Sequence, residues 1–252
     1  MLAGRNRHMS ISETPKLLVP VDVSVEDTPG GRLVDILPGV DVVLLGYFPV
    51  PAQSLPAQLK LTRGDEAATR LEAAAELMAG VDGVGTVETE LIFTHDRLDP
   101  IDRIADQRDC DAVRVPDSGT ASGVERILVP LRDDRNLDRI VSFAGAIARG
   151  SGASVTLFHA VTDGTDDGHE LLAAATDRLV ADGLTKSRVD REVTGAGDGD
   201  AEIVALAPAF DLIVLGETEP SLSERIFGTA PTAVAERADC PVTVVRDTTE
   251  GG

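Results

Sequence analysis

The stretch Asp211–Val245, DLIVLGETEPSLSERIFGTAPTAVAERADCPVTVV, reads as strand, glycine-containing loop, helix and strand. Leu212 to Leu215 run without a polar break, as expected of a strand covered on both faces. A glycine-bearing loop between such a strand and a helix suits an anion. Glycine lets backbone N–H groups approach closely, and the helix N-terminus adds about half a unit of positive charge. Yet this loop carries Glu217, Glu219 and Glu224. A phosphate within a few ångströms of a carboxylate is disfavoured by roughly 1 kcal/mol even in bulk water.

Upstream, the apolar pattern predicts strands over about 126–131, 153–161, 188–194, 211–215 and 241–246. Helices are expected over about 134–149, 168–182, 199–208 and 222–238. This alternation implies a parallel sheet with right-handed crossovers and helices on both faces. In the first of these helices Leu137, Ile140, Val141, Ala144, Ile147 and Ala148 form one apolar stripe, with Asp133 or Asp134 placed to cap its N-terminus.

The same order of segments occurs earlier, offset by about 110 residues, a period that fits domain duplication. KLLVPVDVS (Lys16–Ser24) returns as RILVPLRDD (Arg126–Asp134), and VDVVLLGYF (Val40–Phe48) as ASVTLFHAV (Ala153–Val161). Helix DEAATRLEAAAELMAG (Asp65–Gly80) returns as GHELLAAATDRLVADG (Gly168–Gly183), and DPIDRIADQRDCDAVRV (Asp99–Val115) as GDAEIVALAPAFDLIVL (Gly199–Leu215). The first copy is truncated: only Pro116–Glu125 separate its fourth strand from the next RILVP. Its first helix, TPGGRLVDILPG, is broken by glycine and proline. The expected organisation is an N-terminal arm over 1–14, a degenerate repeat over 15–116, a linker over 117–125, a complete repeat over 126–247 and a tail over 248–252.

With 43 acidic and 23 basic residues the 252-residue chain carries a net charge of −20, which opposes binding to nucleic acid or an anionic membrane. Only Lys16, Lys60 and Lys186 are lysine, and aromatics make up 3%. Such a surface suits a cytoplasm of very high salt, where the Debye length falls to about 3 Å and dense negative charge no longer repels itself. No apolar run of membrane-spanning length occurs, and no apolar segment follows the basic start, so a cytoplasmic location is expected. Cys110 and Cys240 are isolated and lack zinc or disulfide spacing.

RILVP opening a parallel unit, GDGDAEIVALA before DLIVLG, and GETEP…FGTAPTAVAERADCPVTVVR at the end resemble the universal stress protein family. The resemblance covers Arg126–Arg246 and, more faintly, Lys16–Val115 as a second copy. It implies the adenine-nucleotide alpha-hydrolase-like fold, here two tandem doubly wound repeats with strand order 3-2-1-4-5, the first with four strands. It further implies dimerisation through the last strand and, in a subset of members, ATP bound where strands 1 and 4 diverge.

Nucleotide-binding members share an Asp at the end of strand 1, backbone at the end of strand 2 and a loop of the form G-x2-G-x9-G-[ST]. Carried over residue by residue, Gly216 takes the first loop position, with Glu217 beside it, and Gly228 with Thr229 the last. Glu219, followed by Pro220, replaces the middle glycine, and the loop is one residue shorter. Arg132 occupies the adenine position and Ala160 the end of strand 2. The first copy has Asp22 and Tyr47 at these two positions but lacks the loop.

Gly216 and Gly228 fit tight-turn packing as well as an anion cradle. Arg132 fits an ion pair with Asp133, Asp134 or Glu219 as well as a ligand, and Asp22 fits a turn as well as an adenine contact. Glu217 and Glu224 are expected to point into solvent. His159 fits core packing. The expected function is that of a non-catalytic regulatory or protective binding protein with a degenerate nucleotide site, ATP or AMP with Mg2+ being the candidate ligands. A weak ATP-binding protein, a slow ATP hydrolase acting through Gly228 and Thr229, and a docking module for a transporter or kinase are the alternatives. A homodimer is expected through Pro241, Val242, Thr243, Val244 and Val245, which would otherwise form an unpaired apolar edge.

Overall fold

The strand segments alternate between two apolar faces, and each face finds its own cover. In the computed structural model, residues 14–25, 38–116, 118–119, 123–161, 168–195, 198–217, 229–238 and 240–247 are described, with residues 229–232 described in backbone only. The first half contains β1 (Lys16–Asp22), β2 (Asp41–Pro49), α1 (Pro56–Ala79), β3 (Val87–Thr94), α2 (Leu98–Gln107) and β4 (Ala112–Arg114). The second contains β5 (Arg126–Pro130), α3 (Leu137–Ser151), β6 (Ser154–Ala160), α4 (His169–Ala181), β7 (Val189–Thr194), α5 (Gly199–Leu206), β8 (Leu212–Gly216), α6 (Thr229–Arg237) and β9 (Val242–Val245).

Among the described residues, nine strands join one sheet in the order β3-β2-β1-β4-β9-β8-β5-β6-β7. The second half thus has the expected 3-2-1-4-5 order, and the first half has 3-2-1-4. Every pairing is parallel except β4 with β9, which is antiparallel. Leu17, Val19 and Val21 face a core closed by α1, α3 and α4. Leu18 lies in a second core with α2, α5 and α6. Each core contains residues of both halves, so apolar packing is continuous across the seam.

That seam corrects the expected use of the last strand. One edge of β9 pairs with β8, Ile213 opposite Val242 through Gly216 opposite Val245. The other pairs with β4, where Ala112, Val113 and Arg114 stand opposite Val245, Val244 and Thr243. Pro241–Val245 therefore present no free edge to a second copy, because β4 of the first half supplies the partner strand. Ser118, in the expected linker, is buried, and its Oγ accepts from Val242 N at 3.2 Å.

Helix α3 runs along the seam, and more of it is buried than its sequence stripe accounts for. Phe143 and Ala146 are buried in addition to Ile140, Val141, Ala144, Ile147 and Ala148. At Ala146 the backbones approach closely: a Cβ on Gly39, at φ +88°, would lie 2.5 Å from the Ala146 carbonyl oxygen, and one on Gly150 would lie 2.5 Å from the Pro38 carbonyl carbon. The capping expectation also needs correction. Asn136 precedes the helix at φ 55°, and neither Asp133 nor Asp134 caps it. Asp133 instead accepts from the Arg135 backbone N at 2.9 Å and pairs with its guanidinium at 2.8 Å.

Helix α1 begins at Pro56, nine residues ahead of the expected start, with proline in the first turn where its missing N–H costs nothing. The broken helix expected over 28–39 lies almost wholly outside the described residues.

Candidate functional site: the switch-point cavity

Strand β5 has β6 on one side and β8 on the other, so the chain reverses its direction of travel across the sheet at β5. A crevice opens at such a point because the two flanking connections leave toward opposite faces. The cavity found there measures about 390 Å3 and takes lining from Arg132, Ala160, Gly216 and Glu217, four of the residues expected from the sequence. Leu131, Ile140, Phe158, Ile203, Leu215 and Val234 give it an apolar interior.

Sequence reading alone missed the contribution of α5. Asp198, Gly199 and Asp200 also line the cavity. Asp198 caps α5, its Oδ1 accepting from Asp200 N at 3.2 Å and Ala201 N at 3.4 Å. The usable signal was the GDGD run before an apolar helix, a capping pattern that does not say which way the helix N-terminus points. Asp247, at the far end of β9, reaches the same cavity.

Glu217 does not point into solvent as expected. Its backbone N donates to the Val245 carbonyl at 2.9 Å, and its Oε2 accepts from Asp247 N at 2.8 Å. Burial pushes its carboxyl above the ordinary glutamate range, opposed by the hydrogen bond from Asp247 and the charge of Arg246. Gly216 is a packing glycine: a Cβ there would meet Ile140 Cδ1 at 2.4 Å. Arg132 is exposed at the cavity rim, while Asp133 pairs with Arg135, whose hydrogen bond holds the Asp133 carboxyl below its ordinary range. His159 is buried, with Nδ1 2.8 Å from the Leu131 carbonyl. Gly168 lies against its ring, where a Cβ would approach within 2.3 Å.

Asp22 and Tyr47 are not brought to this cavity. They stand opposite each other on β1 and β2. Asp22 Oδ1 accepts from the N and Oγ of Ser24 at 2.8 and 2.6 Å, the turn expected as its alternative. Tyr47 is buried, its hydroxyl accepting from Arg97 Nη1 at 3.1 Å with the guanidinium over its ring. Pairing of β1 with β2 continues to Asp22, whereas pairing of β5 with β6 stops at Pro130. The earlier release of β5 lets Leu131, Arg132 and Asp133 line a cavity. Gly228, Glu219, Pro220, Glu224 and the Thr229 side chain lie outside the described residues, although Thr229 begins α6.

None of the curated proteins matches the sequence. Among solved structures, the chain resembles a universal stress protein from Archaeoglobus fulgidus at TM-score 0.63 and 16% identity, over 93% of this chain and 99% of that one. It also resembles a putative universal stress protein from Pseudomonas aeruginosa at TM-score 0.55 and 14% identity, over 92% and 93%. A universal stress protein solved in complex with cAMP shares 28% identity over 50% of this chain and 98% of its own, at TM-score 0.42. The model of the universal stress protein family matches residues 123–246, which supply all of the cavity's lining but Asp247. The segment 123–246 is thus assigned to the universal stress protein family, and over its whole length the chain shares the fold of such proteins.

Proposed function

We propose that the chain is a non-catalytic regulatory binding protein of a salt-adapted cell, and that its second half takes an adenine nucleotide, ATP or AMP, in the cavity between β5 and β8. The observation that carries this is the convergence of Arg132, Ala160, Gly216 and Glu217 on one apolar-walled cavity at the switch point. A volume of about 390 Å3 lies in the range of small-molecule sites. Arg132 at the rim is the cation available to a phosphate, since Asp133 already pairs with Arg135. Asp198, Asp200, Glu217 and Asp247 oppose a polyphosphate, so binding is weak and depends on salt.

The two halves are read as copies of one unit, the first having lost its fifth strand. Pairing of β4 with β9 stands where the family dimerises, which supports a single chain as the working unit.

Calorimetry with ATP, AMP and cAMP in molar KCl tests the ligand. Saturable heat with an adenine nucleotide, reduced in Arg132→Ala, is expected, without release of phosphate. No heat with any of the three rejects the ligand. Magnesium-dependent phosphate release that Thr229→Ala abolishes makes the protein a hydrolase instead.

A further inference from the structure

Among the described residues, strand β3 ends the sheet, with β2 as its single neighbour. Which of its backbone groups face outward follows from ladder parity. Val42 N and Val50 N donate to the carbonyls of Thr86 and Thr94, each at 2.8 Å, so the even-numbered residues of β3 turn their backbone groups toward β2. Leu91 and Phe93 consequently turn N–H and C=O away from the sheet.

A groove of about 420 Å3 runs along this part of the edge. Leu91, Ile92, Phe93 and Thr94 form its floor, and the starts of α1 and α2 form its walls, bringing Lys60 from one side and Arg103 from the other. Leu91 and Phe93 pack against the core under α1, and Ile92 packs against the core under α2, so the groove straddles the strand edge. Lys60 and Arg103 are exposed, and among the described residues neither pairs with a carboxylate. The opposite end of the same edge differs: Glu88 and Glu90 are both held by Arg108, which leaves ion-paired charge beside the strand.

We propose that Leu91–Thr94 is a docking edge for an acidic extended peptide segment. The segment adds as a further strand on the outward groups of Leu91 and Phe93 and sets carboxylates against Lys60 and Arg103. Charge selects this occupant. On a chain of net charge −20, an acidic segment is repelled from most of the surface and is favoured where two unpaired cations flank free backbone.

The test is fluorescence anisotropy of the full chain with labelled decapeptides alternating valine with glutamate or valine with lysine, at moderate salt. The glutamate peptide is expected to bind, at least about tenfold more weakly to Lys60→Glu/Arg103→Glu. N-methylation of alternate peptide nitrogens should abolish binding. Leu91→Pro should also abolish it, since that N–H faces away from β2; should that variant fail to fold, the charge-reversed variant, altered only at exposed side chains, carries the test. Equal or tighter binding of the lysine peptide overturns the proposal, as does an unchanged glutamate affinity in the charge-reversed variant. A homodimer by light scattering that the same variant dissociates also overturns it, since the occupant would then be a second copy.

Discussion

Arg139 Nη2 lies 3.1 Å from Asp111 Oδ1, a contact between α3 of the second half and the start of β4 in the first. The other oxygen of Asp111 accepts from Lys16 N at 2.9 Å, so one carboxylate fixes β1 and α3 together. Arg246 extends the junction, pairing with Asp106 and donating to the Cys110 carbonyl at 3.2 Å. Both members of the Arg139–Asp111 pair are largely buried, their side chains 13% and 12% exposed, so solvent screens the pair little. Arg139→Ala should cost about 2–3 kcal/mol, because the Asp111 carboxylate keeps its burial and loses a charged donor. Denaturant unfolding checks this, and a midpoint unchanged from the wild type would remove Arg139 from the junction.

Val244 on β9 is fully buried between β8 and β4. Val244→Ala should destabilise by about 2 kcal/mol, the transfer value of two methylene equivalents with some cavity cost. Because both edges of β9 pair within the chain, the midpoints of both proteins should not depend on protein concentration. A midpoint that rises with concentration would show that this strand also joins copies.

Gly39 and Gly150 let backbone meet backbone across the seam. Gly39→Ala faces both a positive φ of 88° and the Ala146 carbonyl, and should cost at least about 2 kcal/mol. Gly152→Ala is the control: φ there is +82° but nothing lies within 4 Å of the added Cβ, so only the backbone cost of about 1 kcal/mol is expected. Equal losses in the two variants would mean that the seam does not press on Gly39.

Burial raises the Glu217 carboxyl pKa in the folded chain. A folded pKa above the unfolded one means that the native state binds the extra proton, so this contribution is full below the unfolded pKa and is lost as pH rises through the folded value. Glu217→Gln keeps an oxygen to accept from Asp247 N and removes the titration. Relative to the wild type, the variant should gain stability as pH rises out of the ordinary carboxylate range. A difference flat from pH 4 to 8 would refute the inward placement of this carboxyl.

Salt adaptation predicts that thermal stability rises steeply from low salt to molar KCl, as screening relieves the repulsion within a chain of net charge −20. Full stability at low salt would identify an ordinary acidic protein.

The order of elements was legible in the chain because buried parallel strands and amphipathic helices leave different periods, and RILVP, DLIVLG and PVTVV mark strands wherever they fold. The family resemblance singled out Arg132, Ala160 and Gly216 at the ends of their strands, and these residues do share a cavity. The partner of β9 was not legible. An apolar strand edge pairs equally well with β4 of its own chain or with another copy, and only the packing of the halves selects β4. The inward turn of Glu217 depends on Asp247, thirty residues away, and the burial of Ala146 on α3 depends on Gly39, more than a hundred residues away. Periodicity reports which face of a segment is apolar. What covers that face follows from contacts between segments far apart in the chain, and those contacts exist only once the two halves have closed on each other.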